Sequence, residues 1–129
     1  MRNLIVLGVA ALVAGALLVV PAATAGGSGA EVIKRGTCTG SSTWKLKAKH
    51  DDGRIETEFE VDQNRVGKRW RVALRHDGAV VFRRVRTTRA PSGSFEVRRF
   101  LNNADGPDRI VTRARALATG EICRGALTI

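Results

Sequence analysis

Two neighbouring stretches of the chain alternate strictly between charged and apolar residues, and this pattern constrains the fold most. The Asp52-Gly53 pair separates them and favours a two-residue hairpin turn. With the turn placed there, each lysine of the first stretch faces a glutamate of the second, and Leu46 meets Phe59 on the other face. A one-residue shift would lose both matches, so the sequence predicts the register of the hairpin as well as its two strands. The glutamates then belong to a charge ladder and not to a catalytic cluster (Lys45, Lys47, Lys49, Glu56, Glu58, Glu60).

A second hairpin is predicted around Asp77-Gly78, with a return strand over residues 79–88. Regular pairing across this turn would direct Arg83 into the core opposite Val72. Two arrangements avoid that burial. Either a bulge brings Val80 and Phe82 to the inner face, or Arg83 lies at a sheet edge. The sequence leaves both open.

Alternation with a period of two continues to the C terminus, and turn-forming residues interrupt it every eight to twelve residues or so. No helical period follows the N-terminal region. We therefore predict an all-β fold, an immunoglobulin-like antiparallel sandwich of seven or eight strands. Cys38 and Cys123 are the only cysteines, so a single intramolecular disulfide is predicted. It would tie the first strand to the last, whereas antibody domains tie the second to the sixth.

The first 25 residues have the pattern of a signal peptide. Arg2 precedes an apolar stretch from Leu4 to Val20, and small residues stand at Ala23 and Ala25. We expect cleavage after Ala25, a flexible leader over residues 26–33 and one domain over residues 34–129. The mature protein is expected to be secreted or associated with the cell envelope, monomeric and without a transmembrane span.

Three segments resemble small secreted proteins of actinobacteria, an uncharacterised group: residues 36–46 (GTCTGSSTWKL), 68–72 (KRWRV) and 120–125 (GEICRG). The resemblance extends over most of the mature chain. It implies export and a disulfide and carries no activity.

Positive charge is concentrated in the middle of the chain. Residues 63–99 contain eleven basic and two acidic side chains, while the rest of the mature chain is balanced. We expect these strands to form a basic edge that attracts polyanions. Charged edge strands also prevent aggregation, so the alternative is a domain that is basic for solubility and has an unknown protein partner. The predicted polyanion-binding residues are six arginines (Arg83, Arg84, Arg86, Arg89, Arg98, Arg99).

An anionic cell-wall polymer or acidic polysaccharide suits this compartment as a partner. Nucleic acid is disfavoured because the chain has no Tyr and few aromatic residues on which bases would stack. The leading hypothesis is thus an exported, non-enzymatic binding module.

No motif in the sequence specifies a reaction. His50 and His76 stand beside hairpin turns, and no nucleophile motif accompanies them. Two histidines without nearby cysteines do not indicate zinc, so neither a metal nor a cofactor is predicted. The remaining alternative is a protein-binding effector such as a protease inhibitor, which would present the loops at residues 89–93 and 102–108.

Overall fold

The computed structural model describes residues 29–129, which contain eight β-strands. The predicted signal peptide and cleavage site lie outside the described residues. No helix among the described residues has the length and apolar character needed to cross a membrane. The strands are β1 (Glu31–Thr37), β2 (Thr43–Asp51), β3 (Arg54–Asp62), β4 (Arg69–His76), β5 (Ala79–Thr87), β6 (Ser94–Asn102), β7 (Arg109–Ala116) and β8 (Ile122–Thr128).

The strands form two four-stranded antiparallel sheets. The first sheet has the order β1-β2-β3-β6, and the second has the order β5-β4-β7-β8. The chain crosses between the sheets after β3, after β5 and after β6, so the edge strands β5 and β6 belong to different sheets. The predicted immunoglobulin-like antiparallel sandwich is confirmed.

The first hairpin has the predicted register. Lys49 pairs with Glu56, Lys47 with Glu58 and Lys45 with Glu60, and Leu46 faces Phe59. Asp52 and Gly53 both have positive φ angles, as the tight turn requires.

The second hairpin contains a bulge, which decides the phase that the sequence left open. The pairing shifts between Leu74 and Arg75, and Val81 is the extra residue on β5. Phe82 therefore faces Leu74 and is buried, as the bulge alternative predicted. Val80 does not turn inward; it pairs with Arg75 on the outer face and is 41% exposed.

The core lies between the two sheets and consists of the inward residues of both. Trp70 is fully buried, and its Nε1 donates a hydrogen bond to Gln63 Oε1 at 2.9 Å. Cys38, just after β1, forms the predicted disulfide with Cys123 of β8, across a separation of 85 residues. Beside the disulfide, Thr39 N donates a hydrogen bond to Ile122 O, so a covalent bond and a backbone hydrogen bond link the same two segments.

β1 begins at Glu31, inside the segment predicted as a flexible leader. Val32 pairs with Ala48 and packs against the core, and Glu31 pairs with Lys49. These contacts explain why the ordered domain begins before residue 34.

Candidate anion-binding surface

The outer faces of the two sheets carry very different charges. Side chains alternate between the faces of a strand, so the registers assign each charged residue to a face. The outer face of the first sheet has six basic and seven acidic residues (Arg35, Lys45, Lys47, Lys49, Arg54, Arg98; Glu31, Asp51, Glu56, Glu58, Glu60, Asp62, Glu96). The outer face of the second sheet has eight arginines and no acidic residue (Arg69, Arg71, Arg75, Arg83, Arg109, Arg113, Arg115, Arg124). We call the surface formed by these eight arginines the basic face.

On the first sheet, positive and negative groups neutralise each other. Lys47 Nζ lies 2.9 Å from Glu58 Oε2, and Lys49 Nζ lies 3.0 Å from Glu56 Oε2. The hydrogen bond to Glu58 raises the pKa of the Lys47 ammonium. Arg98 of β6 also pairs with Glu56 and approaches Glu58. This face therefore has little field with which to attract a polyanion.

On the basic face, arginines stand directly opposite arginines. Arg71 of β4 pairs with Arg115 of β7, and Arg113 of β7 pairs with Arg124 of β8. Like charges at directly opposed positions destabilise a sheet. Within residues 29–129, none of the eight arginines has a carboxylate within salt-bridge distance. The fold thus keeps a self-repelling surface exposed to solvent.

Edge protection does not account for the basic face. β4 and β7 are the two central strands of the second sheet, and both of their edges are already paired. Charges that block association through an exposed edge belong on edge strands. Edge protection therefore does not explain Arg71, Arg75, Arg113 and Arg115.

A depression of about 260 Å³ lies within the basic face. Ala73 and Val111 form an apolar floor because their side chains are short. Ala73 is flanked by Arg83 on β5 and Arg113 on β7, and Val111 lies opposite Arg75. The complete rim consists of five arginines (Arg71, Arg75, Arg83, Arg113, Arg124).

The bulge creates a different arginine cluster at the open edge between β5 and β6. Beyond Val81, Arg84 pairs with Val72 and Arg86 with Trp70, so both side chains take the inner phase of an edge strand. The Cζ atoms of Arg86 and of Arg99 on β6 lie 5.0 and 5.4 Å from the centre of the Phe82 ring. A bulge and inward charges are two known means of blunting a sheet edge. The alternative of a protective edge therefore fits these residues well.

The six predicted binding residues do not form one surface. Four of them line one depression at the β5–β6 edge (Arg83, Arg84, Arg86, Arg99), and Arg83 also belongs to the basic face. Arg98 is paired with glutamates on the first sheet. Arg89 is exposed in the loop before β6. Backbone hydrogen bonds between Arg89 and both Gly93 and Ser94 close this loop.

The basic stretch predicted over residues 63–99 contains four of the eight arginines of the basic face (Arg69, Arg71, Arg75, Arg83), although only Arg83 was among the six named binding residues. The sequence prediction did not include the four arginines of β7 and β8 (Arg109, Arg113, Arg115, Arg124). A signal was present, since these residues occupy the polar phase of alternating strands. This signal is concealed when charge is summed over segments of the chain instead of over the faces of the strands.

His76 has an acidic partner that sequence proximity did not indicate. Its Nε2 lies 2.5 Å from Oδ1 of Asp108, a fully buried residue, and 3.3 Å from Asp77 Oδ2. Asp77 Oδ1 accepts a hydrogen bond from Arg109 N, and Asp108 Oδ1 accepts one from Ala104 N. The three side chains are close enough to share a metal ion. Their existing bonds already account for them as a tie between the β4–β5 turn and the β6–β7 loop.

Comparisons with models of protein families, with curated proteins and with solved structures find no match to this chain. The resemblance to small secreted actinobacterial proteins thus stays a prediction. What the basic face can do follows from its geometry and charge alone.

Proposed function

We propose that this protein is an exported, non-enzymatic module that binds an anionic polymer of the cell surface through the basic face. The observation that carries the proposal is the set of eight arginines, with no carboxylate among them, on the outer face of one sheet. The proposal moves the predicted surface from the β5–β6 edge to the face of the second sheet.

Thermodynamics supports a ligand for this face. The opposed pairs Arg71–Arg115 and Arg113–Arg124 cost stability in the free protein, roughly 0.2–1 kcal/mol each. A polyanion laid across the strands would place negative charge between them and remove that repulsion. Guanidinium groups also suit the task because they bind carboxylates and phosphates through two parallel hydrogen bonds.

The chemistry of the face favours a wall polymer or acidic polysaccharide over nucleic acid. No aromatic side chain lies on the outer face of the second sheet, so nucleobases would find nothing on which to stack. The disulfide suits an oxidising, extracellular compartment, where such polymers occur.

The test is retention of the purified protein on anionic and neutral polymers, including cell wall, across a salt series. We expect steep salt dependence for the native protein. The variant Arg71→Gln/Arg113→Gln/Arg124→Gln should bind much more weakly. Its log–log salt slope should be shallower by roughly 0.7–0.9 per lost contact, the value known for nucleic acids.

A matched control has the same change in net charge. Arg84→Gln/Arg86→Gln/Arg99→Gln removes three charges from the β5–β6 edge and should keep most of the binding, while self-association increases because the edge is less protected. Equal losses in both triple variants would show that only net charge matters. That result would refute a specific role for the basic face.

A further inference from the structure

The depression at the centre of the basic face has a composition that suits a particular ligand. Ala73 and Val111 contribute small apolar side chains to its floor, Thr112 also lines it, and its rim offers five guanidinium groups. A ligand that fills it needs an uncharged, compact body and negative charge at its periphery. A bare chain of phosphates or carboxylates has the charge but would leave the apolar floor uncovered.

The dimensions of the rim indicate one unit of a polymer. Arg83 and Arg113 lie on strands either side of β4, so their backbones are roughly 10 Å apart; Arg71 and Arg75 are roughly 13 Å apart along β4. The volume of about 260 Å³ is below the range of roughly 300–1,000 Å³ typical of drug-sized ligand sites.

Arginines outside the rim extend the same surface. Arg69, Arg109 and Arg115 belong to the basic face but do not line the depression. Neighbouring units of a bound chain would meet these residues, while the central unit occupies the depression. The depression is then one subsite on a longer arginine-lined surface that has no continuous groove.

We infer that the depression binds one carboxylate-bearing pyranose unit of an acidic polysaccharide. The C–H face of the sugar ring packs on Ala73 and Val111, and its carboxylate is held by rim arginines. This inference rests on the proposed function and adds the class of ligand.

The experiment compares two polymers that carry the same charged group. Polygalacturonate has a pyranose ring in every unit, and polyglutamate has none. At equal carboxylate concentration and salt, the native protein should bind polygalacturonate about tenfold more tightly, which corresponds to 1.4 kcal/mol. Ala73→Leu fills the depression without changing charge. It should abolish this preference and leave polyglutamate binding within about twofold.

Ala118→Leu is the matched control. Ala118 is exposed in the turn between β7 and β8 and does not line the depression, so the same substitution there should keep the preference. If Ala73→Leu does not fold, amide chemical shifts of the native protein replace it. Digalacturonate should then perturb Ala73, Val111 and Arg113, whereas a glutamate dipeptide should not.

Each failure has its own signature. Equal binding of the two polymers by the native protein, a preference that survives Ala73→Leu, or no shifts at Ala73 would overturn the sugar subsite. The proposed function would still stand if both polymers bound in a salt-dependent way and the basic-face triple variant lost them. Binding of neither polymer at low salt would overturn both.

Discussion

At the scale of single residues, burial gives Asp108 an importance that its loop position does not suggest. Its carboxylate is fully buried between His76 and the amide of Ala104. Its backbone also exchanges two hydrogen bonds with Ile129 at the C terminus. Asp108 thus joins a hairpin turn, a loop and the end of the chain.

Removing this carboxylate should destabilise the protein. Asp108→Ala removes the shorter of the two carboxylate contacts of His76 and leaves the Ala104 amide without its acceptor, which should cost about 1–3 kcal/mol in free energy of unfolding, measured by urea denaturation. Asp105→Ala, an exposed position in the same loop, should have little effect. Equal unfolding midpoints for the two variants would show that the buried tie contributes nothing.

At the scale of strands, the phase of each strand decides where its charges lie. On β2 and β3 the outward phase alternates lysine with glutamate across the hairpin, so the face is neutral. On β4 and β7 the outward phase places arginine against arginine. A single extra residue, Val81, moves Arg84 and Arg86 of β5 to the inner phase and away from the basic face.

Replacing one arginine of an opposed pair by glutamate should raise stability. Arg115→Glu converts the contact with Arg71 from repulsive to attractive, with an expected gain of roughly 0.2–1 kcal/mol at low salt. Added salt should shrink the gain because both groups are exposed. The measurement is the unfolding midpoint in low and high salt, with Arg115→Gln as an intermediate.

The same variant links stability to function. If the basic face is kept for binding, Arg115→Glu should also weaken retention on anionic polymers. A glutamate variant less stable than the native protein at low salt would contradict the repulsion on which this reasoning depends.

At the scale of the whole molecule, the disulfide joins the segment that follows the first strand to the last strand. The loop it closes spans 85 residues, so its removal restores a large conformational entropy to the unfolded state. Loop-closure theory gives about 4–5 kcal/mol for a loop of this length.

Cys38→Ala/Cys123→Ala should therefore lower the free energy of unfolding by about that amount, measured by denaturation beside the oxidised native protein. The reduced native protein should behave like the variant. An unchanged midpoint in both would show that the disulfide does not stabilise the fold by restricting the unfolded chain.

Local rules let the sequence determine the strands, the first hairpin and the disulfide. The register around Asp52-Gly53 follows from two matched faces, and two cysteines permit one pairing. The same rules did not decide the phase of β5, because a bulge and an edge position both satisfied the pattern. The structure has both features: β5, which carries Arg83, is an edge strand, and the bulge at Val81 sets the phase in which Phe82 faces Leu74.

The location of the basic face was decided by the tertiary structure. Along the chain, the arginines of β7 and β8 lie outside residues 63–99, and residues 26–62 and 100–129 together carry ten basic and ten acidic side chains. The fold places these arginines and the acidic residues of β2 and β3 on opposite outer faces of the sandwich and brings Arg113 and Arg124 beside Arg71 and Arg83. Electrostatic fields act through space. Charge counted along the chain therefore gave the excess of positive charge. Only the order of the strands in the sheets gave the location of that excess.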